Sequence, residues 1–172
     1  FERVAVGADA AIGDPENGLP LVERVVDDAR IALCAEAVGL MDECLKTTVE
    51  YIKTRKQFGV AIGTFQALQH RASDMFVALE QGRSMAMYAT MAGDFEDAKE
   101  RAAAVAAAKV QIGRSARFVG QQAIQLHGGI GMTMEYQAGH YFRRLTMIDM
   151  LFGNAEHNLE ALAEGSGLEA ML

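Results

Sequence analysis

Two stretches of the chain gather residues that could hold a ligand. The first is "QLHGGIGMT", residues 125–133, where three glycines fall within four positions and Gln125 and His127 stand just before them. One left-handed residue is enough to end a helix. The surplus points to a group approaching the backbone where a Cβ would intrude; a flexible hinge between helices is the alternative. The second stretch is "RKQFGVAIGTFQ", residues 55–66. Arg55 and Lys56 place positive charge near a helix end, where it is favourable on structural grounds alone. Phe58, Phe65 and Gln66 add a flat apolar surface beside a cation able to bond in bidentate fashion. That combination suits a planar ligand carrying phosphates.

Helices must carry both stretches. From Leu21 onward Val22, Val25, Val26, Ala29, Leu33, Ala37, Leu40, Met41, Cys44 and Leu45 recur at helical spacing, predicting a first helix to about Lys53. A second is expected after Thr64 as N-cap, running through Leu68, Met75, Phe76 and Leu79 to about Met91. "GDFED" marks a turn; a third helix fills 95–127, a fourth about 134–150, and a fifth begins after Gly153. Pro15 and Pro20 both precede the first helix, so no helix interior has to accommodate one. Three helices of about 30 residues are each roughly 45 Å long, and long helices joined by short polar turns pack antiparallel. The expected fold class is all-α, an antiparallel bundle of long helices behind a short extended N-terminal remnant.

Residues 1–20 read differently. Val4 and Val6 alternate with polar or small neighbours before "GDPENG", the pattern of one short strand and a loop. A lone strand needs a sheet, so this segment is expected to be the tail of a preceding domain, with 21–172 the helical domain. The start at Phe1 agrees with a piece of a longer polypeptide. The ten methionines are expected mostly on inward stripes as core filling, with a methionine-rich groove as the alternative.

The composition narrows the function. At 172 residues the chain suits one domain, and 51% hydrophobic with 23% charged residues is an ordinary globular profile. A net charge of -7 argues against nucleic acid, which needs a basic face. Cys34 and Cys44 stand in no metal-binding spacing, so no metal site and a reduced, cytoplasmic compartment are expected. No apolar run reaches the ~18 residues of a bilayer span, and no secretory signal opens the chain.

"YIKTRKQFGVAIGTFQALQHRASDM" and "QLHGGIGMTMEY", in that order and spacing, resemble the C-terminal helical domain of the acyl-CoA dehydrogenase family of flavoenzymes. "AEAVGLMDECLKTTVEYIKTRKQFG" extends the resemblance back along the first helix, and it covers about residues 1–165, with 1–20 resembling the end of the family's middle β-domain. The resemblance implies that FAD bound by a neighbouring subunit is met by Arg55, Phe58 and Gln66, and by Gln125, Gly128 and Gly129. His127 stands in a variable slot and is expected to fill shape. The resemblance further implies an acyl-CoA substrate, with Arg30 on its side of the domain, and a homo-oligomer or pairing with a related dehydrogenase subunit.

The family pattern breaks at one place. Its members remove the α-proton of an acyl thioester with a glutamate in a Tyr-Glu-Gly-Thr segment; here Leu151-Phe152-Gly153-Asn154 stands there. Phenylalanine accepts no proton. A second family location for the base, just before an arginine of the first helix, is Ala29 before Arg30. The Thr and Gln that touch the cofactor become Asn154 and Glu156, and a carboxylate facing a pyrophosphate is repulsive unless a cation offsets it. Three explanations compete: a partner subunit that has lost the base in a heteromeric enzyme, another carboxylate (Asp27, Asp28, Glu36 or Asp149) acting as base, or a non-catalytic helical interaction module.

Overall fold

In the computed structural model, residues 2–165 are described. Five α-helices account for most of them: α1 (Leu19–Thr54), α2 (Gln66–Ala92), α3 (Ala98–His127), α4 (Gln137–Met150) and α5 (Ala155–Gly165). Between α1 and α2 a two-residue hairpin, β1 (Lys56–Gln57) and β2 (Val60–Ala61), pairs Lys56 with Ala61 and Gln57 with Val60. No helix is long and apolar enough to cross a membrane among the described residues.

The cross-contacts set the helix directions. Asp42 meets Arg83, Gln81 meets Gln111 while Arg71 meets Gln122, and Glu36 meets Arg144. Consecutive long helices therefore run antiparallel, whereas α1 and α3 run parallel, with Asp27 beside Arg101 and Tyr51 beside His127. The central helix is α3, which buries 16 of its 30 residues and touches all four others. Its alanines make that possible, because small side chains let helices approach closely at little entropy cost. Asp97 starts α3 by accepting from the amides of Lys99 and Glu100 at 2.7 and 3.0 Å, a cap worth about 1 kcal/mol. Cys34, Met41, Met75, Leu79, Ile112, Val119 and Leu145 form the centre of the core. Both cysteines are free and buried, and burial pushes their thiols up to about 11 and 12.

Four expectations are corrected. Thr64 does not cap α2: its hydroxyl donates to the Ala61 carbonyl within a short 3₁₀ turn, and Phe65 precedes the helix instead. No strand forms in residues 2–18; Val4 and Val6 are exposed, for want of a sheet to pair with. Val22 and Val25 are exposed as well, so the inward stripe of α1 begins later, at Asp27 and Cys34. The methionines divide the other way from expectation: Met41 and Met75 are fully buried, whereas Met87, Met91, Met132, Met134, Met147 and Met150 are exposed. They lie on outer faces of the outlying helices or in the 128–136 segment, where no described helix covers them.

Candidate functional site

The two ligand-type stretches meet at one end of the bundle. Arg55 follows the last residue of α1 in extended conformation and reverses the chain, its carbonyl accepting from Ile62 at 2.9 Å. Phe58 and Gly59 form the hairpin tip at φ 55° and 81°, both in the left-handed region that a type I′ turn requires. Gly59 adopts this freely; Phe58 does not, and its ring is 89% exposed. Phe65 meets that ring edge-on at 6.1 Å. Gln66 opens α2 and is exposed.

His127, the last residue of α3, joins the second stretch to the first. It is 3% exposed, its ring lies 4.6 Å from Tyr51 of α1 and 4.8 Å from Tyr136 before α4, and its Nδ1 donates to the Ala123 carbonyl at 2.7 Å. Burial holds this imidazole below its ordinary value. Its Nε2 is buried without a hydrogen-bond partner among the described residues. The sequence reading missed Tyr51 and Tyr136, whose partnership depends on three helix ends converging.

The glycines separate by physical role. Gly128 ends α3 at φ 64°. A Cβ on Gly131 would come within 2.9 Å of the His127 Cβ and 3.2 Å of the Ile124 carbonyl. Gly129 has neither reason, since a Cβ there would meet nothing within 4 Å. Arg55, Gln66 and Gln125 make no side-chain hydrogen bond or ion pair among the described residues. These groups form an open ledge. The cleft of about 470 Å³ beside the hairpin is lined instead by residues such as Val49, Ile52, Ala61 and Ala72.

Phe152 lies at a different place, in the corner between α4 and α5. Its carbonyl accepts from Arg30 Nε at 3.0 Å. Arg30 and Arg55 are about 25 positions apart along α1, which separates corner and ledge by roughly 37 Å. Phe152 has φ 54° and is 46% exposed. Arg30 also faces the buried Asp27 at 3.8 Å, and Asp27 is shared with Arg101 at 3.3 Å.

Of the carboxylates considered as a substitute base, Asp27, Asp28 and Glu36 are paired and Asp149 is turned inward. Asp28 is exposed and pairs with Arg24 at 3.3 Å. Glu36 holds Arg144 in a bidentate pair at 2.6 and 2.8 Å, and that hydrogen bonding keeps its carboxyl below the usual range. Asp149 turns toward α3, where its Oδ1 is buried against Gly113 without a hydrogen-bond partner among the described residues. Asn154 caps α5, accepting from the His157 amide at 2.9 Å and donating to Glu156 at 3.0 Å. The sequence reading missed Lys109. This lysine is 1% exposed and donates to the Ile148 and Asp149 carbonyls at 2.7 and 3.3 Å, and burial lowers its pKa. Its signal was a lone cation in an alanine run.

An all-α bundle with an exposed aromatic and cationic ledge at one end and a pinned corner far from it defines the class: a helical domain that presents groups outward. The sequence profile described as "Acyl-CoA dehydrogenase, C-terminal domain" matches residues 16–167, and the chain belongs to that family. It is 38% identical over 120 residues to the acyl-CoA dehydrogenase IpdE2 of Mycobacterium tuberculosis (strain ATCC 25618 / H37Rv), covering 70% of this chain and 36% of the relative. Among solved structures it is similar to the glutaryl-coenzyme A dehydrogenase glutaryl-CoA complex (TM-score 0.87, 28% identity, 94% of this chain and 40% of that one). It is also similar to PigA with FAD and proline (TM-score 0.75, 34% identity, 84% of this chain and 37% of that one). The chain spans less than half the length of each of these.

Proposed function

We propose that this chain is the C-terminal part of an FAD-dependent acyl-CoA dehydrogenase-like protein, in which it supplies flavin contacts and a subunit interface but no catalytic base. The second half of that reading rests on the sequence resemblance, which puts Phe152 at the place expected for the family's glutamate, and one observation supports it: Asp27, Asp28 and Glu36 are each paired and Asp149 is turned inward. Removal of a general base alone costs ~10² to 10⁴ in rate. The ledge supports the first half. Arg55 offers an unengaged cation for a phosphate, Phe58 a ring for a planar group, and Gly129 a backbone that another molecule can approach. Gln66 and Gln125 add free amides beside them.

Bound FAD would supply the hydride acceptor of an α,β-dehydrogenation. The residues at the other end fit it less well, because Asn154 is spent on capping α5 and Glu156 adds a negative charge. The distance between ledge and corner supports a site completed by another subunit. We take that subunit to be a related dehydrogenase chain that keeps the glutamate, and the acyl-CoA to bind there, with Arg30 on the substrate side in both chains. Two free, buried thiols are compatible with the cytoplasm as location.

The test is turnover and flavin content of the full-length protein. Expressed alone, with an electron acceptor and a panel of acyl-CoA thioesters, it should show no dehydrogenation. Co-expressed with a glutamate-bearing relative it should show both activity and a visible flavin band. Turnover by the lone chain defeats the base-less reading, and an assembly without any flavin absorbance favours a non-catalytic helical module.

A further inference from the structure

His127 carries a buried ring nitrogen that no described residue satisfies. Its Nδ1–H donates to the Ala123 carbonyl at 2.7 Å, which leaves Nε2 as the bare acceptor of a neutral imidazole. Tyr51 of α1 and Tyr136 are the titratable groups that face the ring, and Tyr136 meets Tyr51 edge-on at 6.0 Å to complete a three-ring cluster. Burial disfavours the charged imidazole, the Ala123 bond opposes that to a smaller degree, and no carboxylate or cation among the described residues acts on it.

The same residue fastens the segment 128–136. Gly128, at φ 64°, supplies the turn out of α3. Ile130, Met132 and Met134 are exposed beyond it. The far half of the segment is tied to α4, where Met134 meets His140 and Arg143. The near half is held by packing: a Cβ on Gly131 would stand 2.9 Å from the His127 Cβ, and one on Gly139 would stand 2.9 Å from the Gly131 carbonyl oxygen. A proton on Nε2 opposes this arrangement. It adds an N–H without an acceptor and a charge without a counter-ion, both sheltered from solvent. To hydrate that charge the ring must part from Tyr136 and Gly131.

We infer that His127 is a positioning residue that latches the glycine ledge: neutral, it clasps residues 128–136 to α1; protonated, it releases them to swing on Gly128. Gly129 moves with that segment, so the ledge loses its shape when the latch opens. Opening takes up one proton and therefore becomes more frequent as pH falls below the ordinary 6.5. The consequence for flavin rests on the function proposed above; the latch does not.

The experiment is hydrogen exchange on the full-length protein at about pH 7.5 and about pH 5.5, read as protection factors so that intrinsic exchange drops out. The reporters are the Gly128 and Thr133 amides, which donate to carbonyls of α3 and of Ile130. In wild type they should lose protection severalfold at the lower pH, one proton setting a ceiling of about tenfold over this interval. At both pH values they should be far less protected than amides of the α2 core around Leu79, because the latch opens without the bundle unfolding. His127→Phe keeps a ring without a titrating group and should show no such loss. Tyr136→Leu should leave both amides unprotected throughout. Flavin release should quicken at the lower pH in wild type and not in His127→Phe. Wild-type reporters that ignore pH, or that match the α2 core in protection, overturn the latch, and this comparison stands even if a variant folds poorly. Reporters that respond while flavin release stays flat overturn the flavin reading of the ledge instead.

Discussion

At the scale of single residues, the segment after α3 shows one amino acid used for three reasons. Gly128 supplies a left-handed φ, Gly131 avoids a collision with His127 and Ile124, and Gly129 leaves open space that none of the described residues fills. Two substitutions separate packing from ligand approach. Gly131→Ala should destabilise the fold by about 1–3 kcal/mol, the usual cost of overpacking. Gly129→Ala should leave stability within about 0.5 kcal/mol, yet lower the flavin-to-protein absorbance ratio of the full-length assembly severalfold. Denaturant melts and visible spectra of both variants check this. A Gly129→Ala assembly that retains its full flavin complement would remove the ledge from the cofactor's surroundings.

Single elements show where the fold accepts strain. The hairpin between α1 and α2 is only four paired residues, and its tip places phenylalanine where Asn-Gly is the relaxed choice. Phe58→Asn should therefore stabilise the domain by about 0.5–1 kcal/mol, the usual gain from relieving a left-handed non-glycine residue. The same change should weaken flavin retention, because the exposed ring is lost. Thermal melts together with flavin content decide the matter: a drop in stability would mean that the ring packs usefully within its own chain, against Phe65. The α4–α5 corner repeats the pattern with Phe152, but there the half-buried Arg30, the buried Lys109 and Asn158 bond the backbone carbonyls around it.

Across the whole molecule, His127 ties α1, α3 and the segment before α4 together through Tyr51 and Tyr136. Burial lowers its pKa from 6.5, so the unfolded chain takes up a proton more readily than the folded one. Its contribution to stability is fully present above pH 6.5 and is lost as pH falls through the lowered folded-state value. His127→Phe keeps a ring between the tyrosines and should flatten the pH dependence of stability just below pH 6.5, measured by denaturant midpoints. An unchanged slope would show that the imidazole titrates freely. The Glu36–Arg144 pair produces a separate loss at lower pH, because its carboxyl is held below the ordinary 4.5.

Helix periodicity, the alanine run of α3, the turn signals and the two prolines determined by themselves that this chain is a bundle of long helices, since those are local properties of a few successive residues. The order and spacing of the two glycine-bearing motifs likewise carried the family. Only the tertiary structure decided which faces point inward. Met87, Met147 and Val22 have the hydrophobicity of core residues, and they lie outside because no helix among the described residues covers them. The pinned corner at Phe152 depends on partners far away in sequence: Arg30 is 122 positions from Phe152, and Lys109 is 39 from Ile148. A buried lysine bonded to carbonyls looks, in sequence, like any surface lysine. Its meaning comes from where α4 ends against α3, which no local pattern encodes.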